Sequence, residues 1–177
     1  MKFTETNLKG SYIIELEKFE DERGFFARTF CEEEFKKHDL NPNLKQISIA
    51  YNKKKNTIRG MHYMKAPNEE AKLVRCSSGS IYDVIIDLRP KSPTFKKWFG
   101  IELKASDYKM IYLPEGFAHG YQTLENNTEV IYHMSIIFVP ESYSGVRYND
   151  PAFNIKWTQS DNLIVSEKDK SYSSFDK

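Results

Sequence analysis

Apolar and polar residues alternate along most of this chain with period two, in short runs separated by turn residues, and sustained helical spacing is rare. Tyr12-Ile13-Ile14-Glu15-Leu16 reads as a strand, Asp21-Glu22-Arg23-Gly24 as a turn, and Phe25 to Phe30 as the next strand. Thr29, with Glu32 three positions on, has the spacing of a capping box and predicts a short helix from Cys31 to His38. Lys45 to Tyr51 is extended, and Asn52-Lys53-Lys54-Lys55-Asn56 reads as a solvated cationic loop.

Farther on the strands come at short intervals. Lys72 to Cys76 runs through Ser77-Ser78-Gly79, a hairpin signal, into Ser80 to Leu88, and Pro90-Lys91-Ser92-Pro93 ends that strand. Trp98 to Lys104 alternates, with Ile101 and Leu103 on one face and Glu102 and Lys104 on the other. Lys109 to Leu113, Ala118 to Leu124 and a long apolar run from Thr128 to Val139 follow, divided by turns at Pro114-Glu115-Gly116 and Glu125-Asn126-Asn127. From Asp150-Pro151 the chain is polar and irregular apart from Ile155-Lys156-Trp157. The pattern predicts an all-β protein, a sandwich or jelly roll with a few short helices, in one domain spanning 1–177. The turn Pro114-x-Gly116-x-x-His119 resembles the second signature of the cupin jelly roll, in which the histidine projects into the barrel mouth.

Composition agrees and narrows the partners. Aromatic residues make up 14% of the chain, with 12 Phe and 11 Tyr, which suits a β-rich protein with ring-lined surfaces. Lys plus Arg is 26 against 25 Asp plus Glu, so no global charge points to nucleic acid or a membrane surface, and any cationic site is local. Two cysteines, Cys31 and Cys76, are too few for a disulfide framework. The start Met1-Lys2-Phe3-Thr4-Glu5-Thr6 lacks an apolar signal core and no run is long enough to span a membrane, so the expected location is cytoplasmic.

Candidate chemistry gathers in Arg59-Gly60-Met61-His62-Tyr63 and Lys72-Leu73-Val74-Arg75. Cations within apolar strands are costly unless they face an anion or a polar ligand. A histidine set among them favours its neutral, proton-accepting form. A metal is not expected: Met64 stands where a His-x-His ligand pair needs its second histidine, and His62 with His119 falls short of three ligands. There is no Gly-x-Ser-x-Gly elbow and no Cys-x-x-Cys pair. Neutral His as base, Lys facing a developing oxyanion and Tyr as acid remain, a set suited to proton abstraction beside a carbonyl.

The residues just quoted, with Asp21-x-Arg23-Gly24-Phe25-Phe26, Asp83-Val84, Asp87-x-Arg89, Ser92-Pro93-Thr94, Pro114-Glu115-Gly116-Phe117-Ala118-His119-Gly120, Asn149-Asp150-Pro151 and Ser166-x-Lys168-Asp169, resemble the dTDP-4-dehydrorhamnose 3,5-epimerase family. The resemblance runs from about residue 10 to 170. It implies a cupin homodimer without metal or cofactor that acts on a nucleotide-linked 4-keto-6-deoxy sugar. His62 matches the family's general base, Asp169 the carboxylate that orients it, Lys72 the cation beside the keto oxygen and Tyr132 the acid on the opposite face. Arg23, Gln46, Arg59, His119 and Lys168 match positions that bind nucleotide or sugar.

The binding shell departs from the family pattern. Arg28 stands where a carboxylate is usual, Ser48 where asparagine is usual, and the loop between Gln46 and Arg59 is one residue longer. Tyr143 replaces a glutamate, Tyr148 a tryptophan and Phe138 a tyrosine. Arg28, Ser48 and Tyr143 therefore join the expected substrate contacts. Two other readings fit the same residues: a single-site epimerase acting on another dTDP, CDP or GDP 4-keto sugar, and a non-catalytic cupin that binds a sugar nucleotide.

Overall fold

The computed structural model describes residues 1–175, so the expected 1–177 domain runs two residues beyond them. The first strands are β1 (Lys2–Glu5), β2 (Tyr12–Glu15), β3 (Lys18–Asp21) and β4 (Gly24–Ala27), followed by helix α1 (Glu32–Lys37). Then come β5 (Gln46–Asn52), β6 (Thr57–Met64), β7 (Lys72–Ser78), β8 (Ser80–Asp87) and β9 (Trp98–Lys104). The chain ends with β10 (Met110–Leu113), β11 (Phe117–Thr123), β12 (Thr128–Met134), β13 (Tyr143–Gly145), β14 (Ile164–Val165) and helix α2 (Glu167–Ser171). No helix among the described residues is long and apolar enough to cross a membrane.

The strands form two facing sheets. One has the order β1-β2-β10-β7-β12-β5; the other runs β13-β6-β11-β8-β9, with β14 added parallel to β6. Strands β3 and β4 make a separate ribbon. Val74, Ile111 and Val130 of the first sheet pack against Ile81, Ile85 and Tyr121 of the second. Burying each such aliphatic side chain contributes about 1.5–3 kcal/mol over leaving it in water. Both sheets are also covered outside: α1 brings Phe35 onto Ile14, Leu73 and Tyr112, and the segment around Val146 and Phe153 covers Met61, Val84 and Ala118. Cover on both faces is why β8 reads as a nearly unbroken apolar run rather than an alternating one.

Several expectations need correction. Ser77-Ser78-Gly79 does not make a hairpin. Strand β7 lies between β10 and β12 and β8 between β9 and β11, so Gly79, at φ +73°, turns the chain from one sheet into the other. Thr29 and Glu32 form no capping box, because the helix begins at Glu32 itself and Cys31 at its N-cap makes no side-chain bond. Strand β4 stops at Ala27, which frees Phe30 to pack on Phe35. The strand expected to reach Val139 ends at Met134, and beyond it Ile137 and Phe138 are exposed. Ile155-Lys156-Trp157 is not a strand, whereas the polar tail contains β14 and α2.

Two glycines set the distance between β6 and β11. A Cβ on Gly60, whose φ is +136°, would stand 2.5 Å from Gly120 Cα and 3.0 Å from the His119 carbonyl oxygen. A side chain there would force the strands apart. Their register pairs His119 with His62 and, across an irregularity, Tyr121 with Arg59. Four chemically important side chains are thereby held on adjoining strands.

Below them, Asp87 closes the end of β8. It is fully buried and accepts bonds from Arg89 Nε at 2.9 Å, from Arg89 Nη2 at 2.8 Å and from Thr94 Oγ1 at 2.7 Å, with Ser92 also donating. Burial alone would raise its pKa, but the bonds from Arg89, Ser92 and Thr94 win and hold it at about 2, below the usual 3.8. A depressed carboxylate stabilises the fold fully above its ordinary pKa and loses that contribution as pH falls towards the folded value. Asp87→Asn should therefore lower unfolding stability at pH 7 by about 1.5–3 kcal/mol. The loss should shrink as pH is taken from 4 towards 2, as urea denaturation across that range would reveal.

Candidate active site

A cavity of about 260 Å³ opens between the sheets. Ser48, Glu70, Lys72 and Tyr132 line it from the side of the first sheet, and Arg59, His62, His119 and Tyr143 from the second. A neighbouring hollow of about 400 Å³ shares Arg59, His62 and Tyr143 and is bounded by Ser166, Lys168 and Asp169. A larger cavity of about 650 Å³ lies elsewhere, beside Lys9, His38, Arg89 and Glu115, and contains none of the expected catalytic residues.

His62 is seated by the tail. Its Nε2 is 2.8 Å from Asp169 Oδ1, and Asp169 Oδ2 accepts the Gly60 N–H at 3.2 Å. Ser166 caps α2 by accepting the Asp169 N–H at 3.1 Å, which fixes the carboxylate at the start of the helix. Burial would raise the Asp169 pKa, but the bond and charge of His62, with the Gly60 N–H, lower it overall. The carboxylate is therefore ionised near neutral pH and accepts the Nε2 proton, so a neutral imidazole here carries its lone pair on Nδ1. Tyr143 and Tyr172 stand close by, with ring centroids 5.3 and 6.1 Å from that of His62.

Lys72 starts β7 on the other sheet and is 8% exposed. Its Nζ is 2.8 Å from Glu70 Oε1. The cationic pocket expected from the sequence is thus partly neutralised from within. Tyr132 lies two residues from Met134, the cross-strand partner of Lys72, so both side chains face the cavity. Burial pushes the Tyr132 phenol well above its ordinary pKa, so it is a proton donor at neutral pH. Burial also raises Tyr121, which exchanges hydrogen bonds with Asn52 and lies 6.4 Å from Tyr132 between ring centroids.

The remaining expected residues divide. His119 is 4% exposed and its Nε2 is 2.8 Å from Asp83 Oδ2, a second histidine–carboxylate pair beside the first. Arg59 donates from Nε to Asn52 Oδ1 at 2.8 Å, and Lys168 Nζ lies 4.2 Å over the Tyr143 ring. Ser48 lines the cavity, but Gln46 does not; its side chain accepts the Phe138 N–H instead. Arg23 and Arg28 are not brought in. They belong to the ribbon and the segment after it, pair with Asp21 and Glu34, and border neither hollow. Glu70, Asp83, Asn52 and Tyr121 are the site residues that sequence reasoning left without a role. The readable signal was for Asp83, a carboxylate inside the apolar run of β8. No three His, Cys, Asp or Glu side chains converge as a metal site among the described residues.

This geometry places His62 and Tyr132 on opposite walls of one cavity, with Lys72 on the wall of Tyr132. Chains of known activity share the frame. The family model described as dTDP-4-dehydrorhamnose 3,5-epimerase matches residues 5–177. The Salmonella typhimurium dTDP-4-dehydrorhamnose 3,5-epimerase is 37% identical over 89% of this chain and 86% of its own. The crystal structure of the same-named enzyme from Elizabethkingia anophelis superposes with a TM-score of 0.96 at 38% identity, covering 99% of this chain and 96% of that one. One from Bacillus anthracis, with TDP and PPi bound, gives 0.93 at 36% identity over 98% and 99% of the two chains. The fold is the cupin-type jelly roll of these enzymes. With residues 5–177 and the fold both matched, this chain belongs to the dTDP-4-dehydrorhamnose 3,5-epimerase family.

Proposed function

We infer that this protein is an isomerase that inverts carbons 3 and 5 of a dTDP-linked 4-keto-6-deoxy sugar, working as one domain without metal or cofactor. The observation that carries the assignment of roles is that His62 and Tyr132 approach the cavity from opposite sheets. Inversion requires a proton to leave one face of the sugar and another to arrive on the other.

In this reading His62 Nδ1 takes the proton on a carbon next to the ketone, while Asp169 holds Nε2–H and compensates the imidazolium that forms. An α-proton of a ketone is too weakly acidic for imidazole alone, so charge must be met as it grows on the keto oxygen. The Lys72 ammonium serves this, and Tyr132 then returns a proton to the carbon from the opposite face. Arg59, Lys168 and His119 bind the nucleotide end or the sugar, with Ser48 and Tyr143 shaping its seat.

Arg23 and Arg28 enter the reading through assembly. The β3–β4 ribbon leaves Phe19 70% and Phe26 73% exposed, and the outer face of β5 leaves Ile47 and Ile49 bare. Apolar surface of this kind suits an isologous homodimer, in which Arg23 of the ribbon and Arg28 just after it reach the partner's site. Two unpaired cysteines, Cys31 and Cys76, fit a cytoplasmic place of work.

Asp169→Asn should lower kcat about 10²-fold, within the range of general-base catalysis, with TDP affinity by calorimetry little changed. An unaltered rate would remove Asp169 from the mechanism. Tyr132→Phe should still wash solvent deuterium into the sugar, because His62 reprotonates the enolate on the face it left, yet yield little inverted product by NMR. Normal inversion would disqualify Tyr132 as the acid. Sedimentation at micromolar concentration should give twice the chain mass, and a monomer would contradict the dimer.

A further inference from the structure

Glu70 is the one carboxylate lining the central cavity among the described residues, and it is 8% exposed. A buried negative charge there is unexpected in a site that receives a diphosphate, since it repels the ligand. Its position has a structural cause. Glu70 and Lys72 flank Ala71, whose N–H donates to Ser135 Oγ at 2.8 Å and whose carbonyl accepts the Ser135 N–H at 3.0 Å. With the backbone pinned in both directions just before β7, Glu70 and Lys72 both line the cavity. The result is the 2.8 Å contact between Oε1 and Nζ.

A lysine ammonium is a compact charge on a flexible four-carbon stem, and left alone it turns to the strongest anion within reach. In this cavity that anion would be the substrate's diphosphate. We propose that Glu70 is a positioning residue for the reaction: it holds the Lys72 ammonium at the ketone end of the cavity and keeps it from pairing with the diphosphate. One N–H is committed to Glu70, and the others stay free for the keto oxygen. The role of Lys72 in this scheme rests on the epimerase reading; the pairing itself does not.

The test combines kinetics with a double-mutant cycle. Glu70→Ala should lower kcat for deuterium exchange about 10²-fold, as expected when a reacting group is misplaced. KM should stay level or fall, because a released Lys72 adds to diphosphate binding. Glu70→Gln keeps the shape and an acceptor oxygen, so it should fold as the parent does and lose at least about threefold in kcat. In a Lys72→Ala background, Glu70→Ala should add less than about a twofold loss. A raised KM at constant kcat, an equal loss in both backgrounds, or an unaffected Glu70→Gln enzyme would overturn the proposal. If the parent protein exchanged no 4-keto sugar nucleotide, the epimerase reading would fail by itself. The pairing would then be judged from the Lys72 ammonium signal in ¹⁵N NMR, which Glu70→Gln should shift or broaden; an unmoved signal would overturn it.

Discussion

Charges in a cavity between two packed sheets cannot rely on water, and the architecture of this site follows from giving each a partner from behind. Asp169 backs His62, Asp83 backs His119 and Glu70 holds Lys72, each at 2.8 Å. Because partners must lie within hydrogen-bond reach, the elements that carry them are fixed too. The tail has to fold back over β6, β8 has to lie beside β11, and the turn before β7 has to be tied to Ser135. Removing one member of such a pair leaves a buried charge uncompensated, which is why the pairs act as units of structure as well as of chemistry.

The glycines at 60 and 120 make this arrangement compact enough to work. They allow β6 and β11 to approach closely, so the two histidines and Arg59 sit on adjoining strands. The facing wall is formed by β7 and β12, whose register places Lys72 and Tyr132 on one surface. Of the aromatic departures, Phe138 and Tyr143 line the cavity and Tyr148 borders neither hollow. Tyr143 stands against Phe138 at 5.5 Å, under Lys168 and 5.3 Å from the His62 ring, so two of the substitutions shape the wall next to His62.

Much of this was legible in the sequence, because alternation within a strand is local. His62, Lys72 and Arg59 stood out as costly charges in apolar runs, and each lines the cavity. Glu70 did not, since Pro67-Asn68-Glu69-Glu70 reads as an ordinary polar turn and the bond to Ser135 is 64 positions away. Asp169 emerged only from family likeness, as one charge in a Lys-rich tail 107 positions from His62. Turn chemistry at Gly79 correctly indicated a reversal of the chain but carried no information on which sheet the next strand would join. Arg23 and Arg28 pair with nearby carboxylates and border neither hollow, which their local sequence does not reveal.

The clasp of α2 over β6 also bears on the order in which the protein becomes competent during synthesis. All but one of the charged groups around the cavity lie before residue 169, so a growing chain can build both sheets, both glycines and the Lys72 pair while His62 still lacks its carboxylate. Helix α2, which follows both sheets along the chain, supplies it. The His62–Asp169 pair is thus completed after the scaffold, and a chain cut short before Ser166 would keep the strands of both sheets while leaving His62 without its carboxylate.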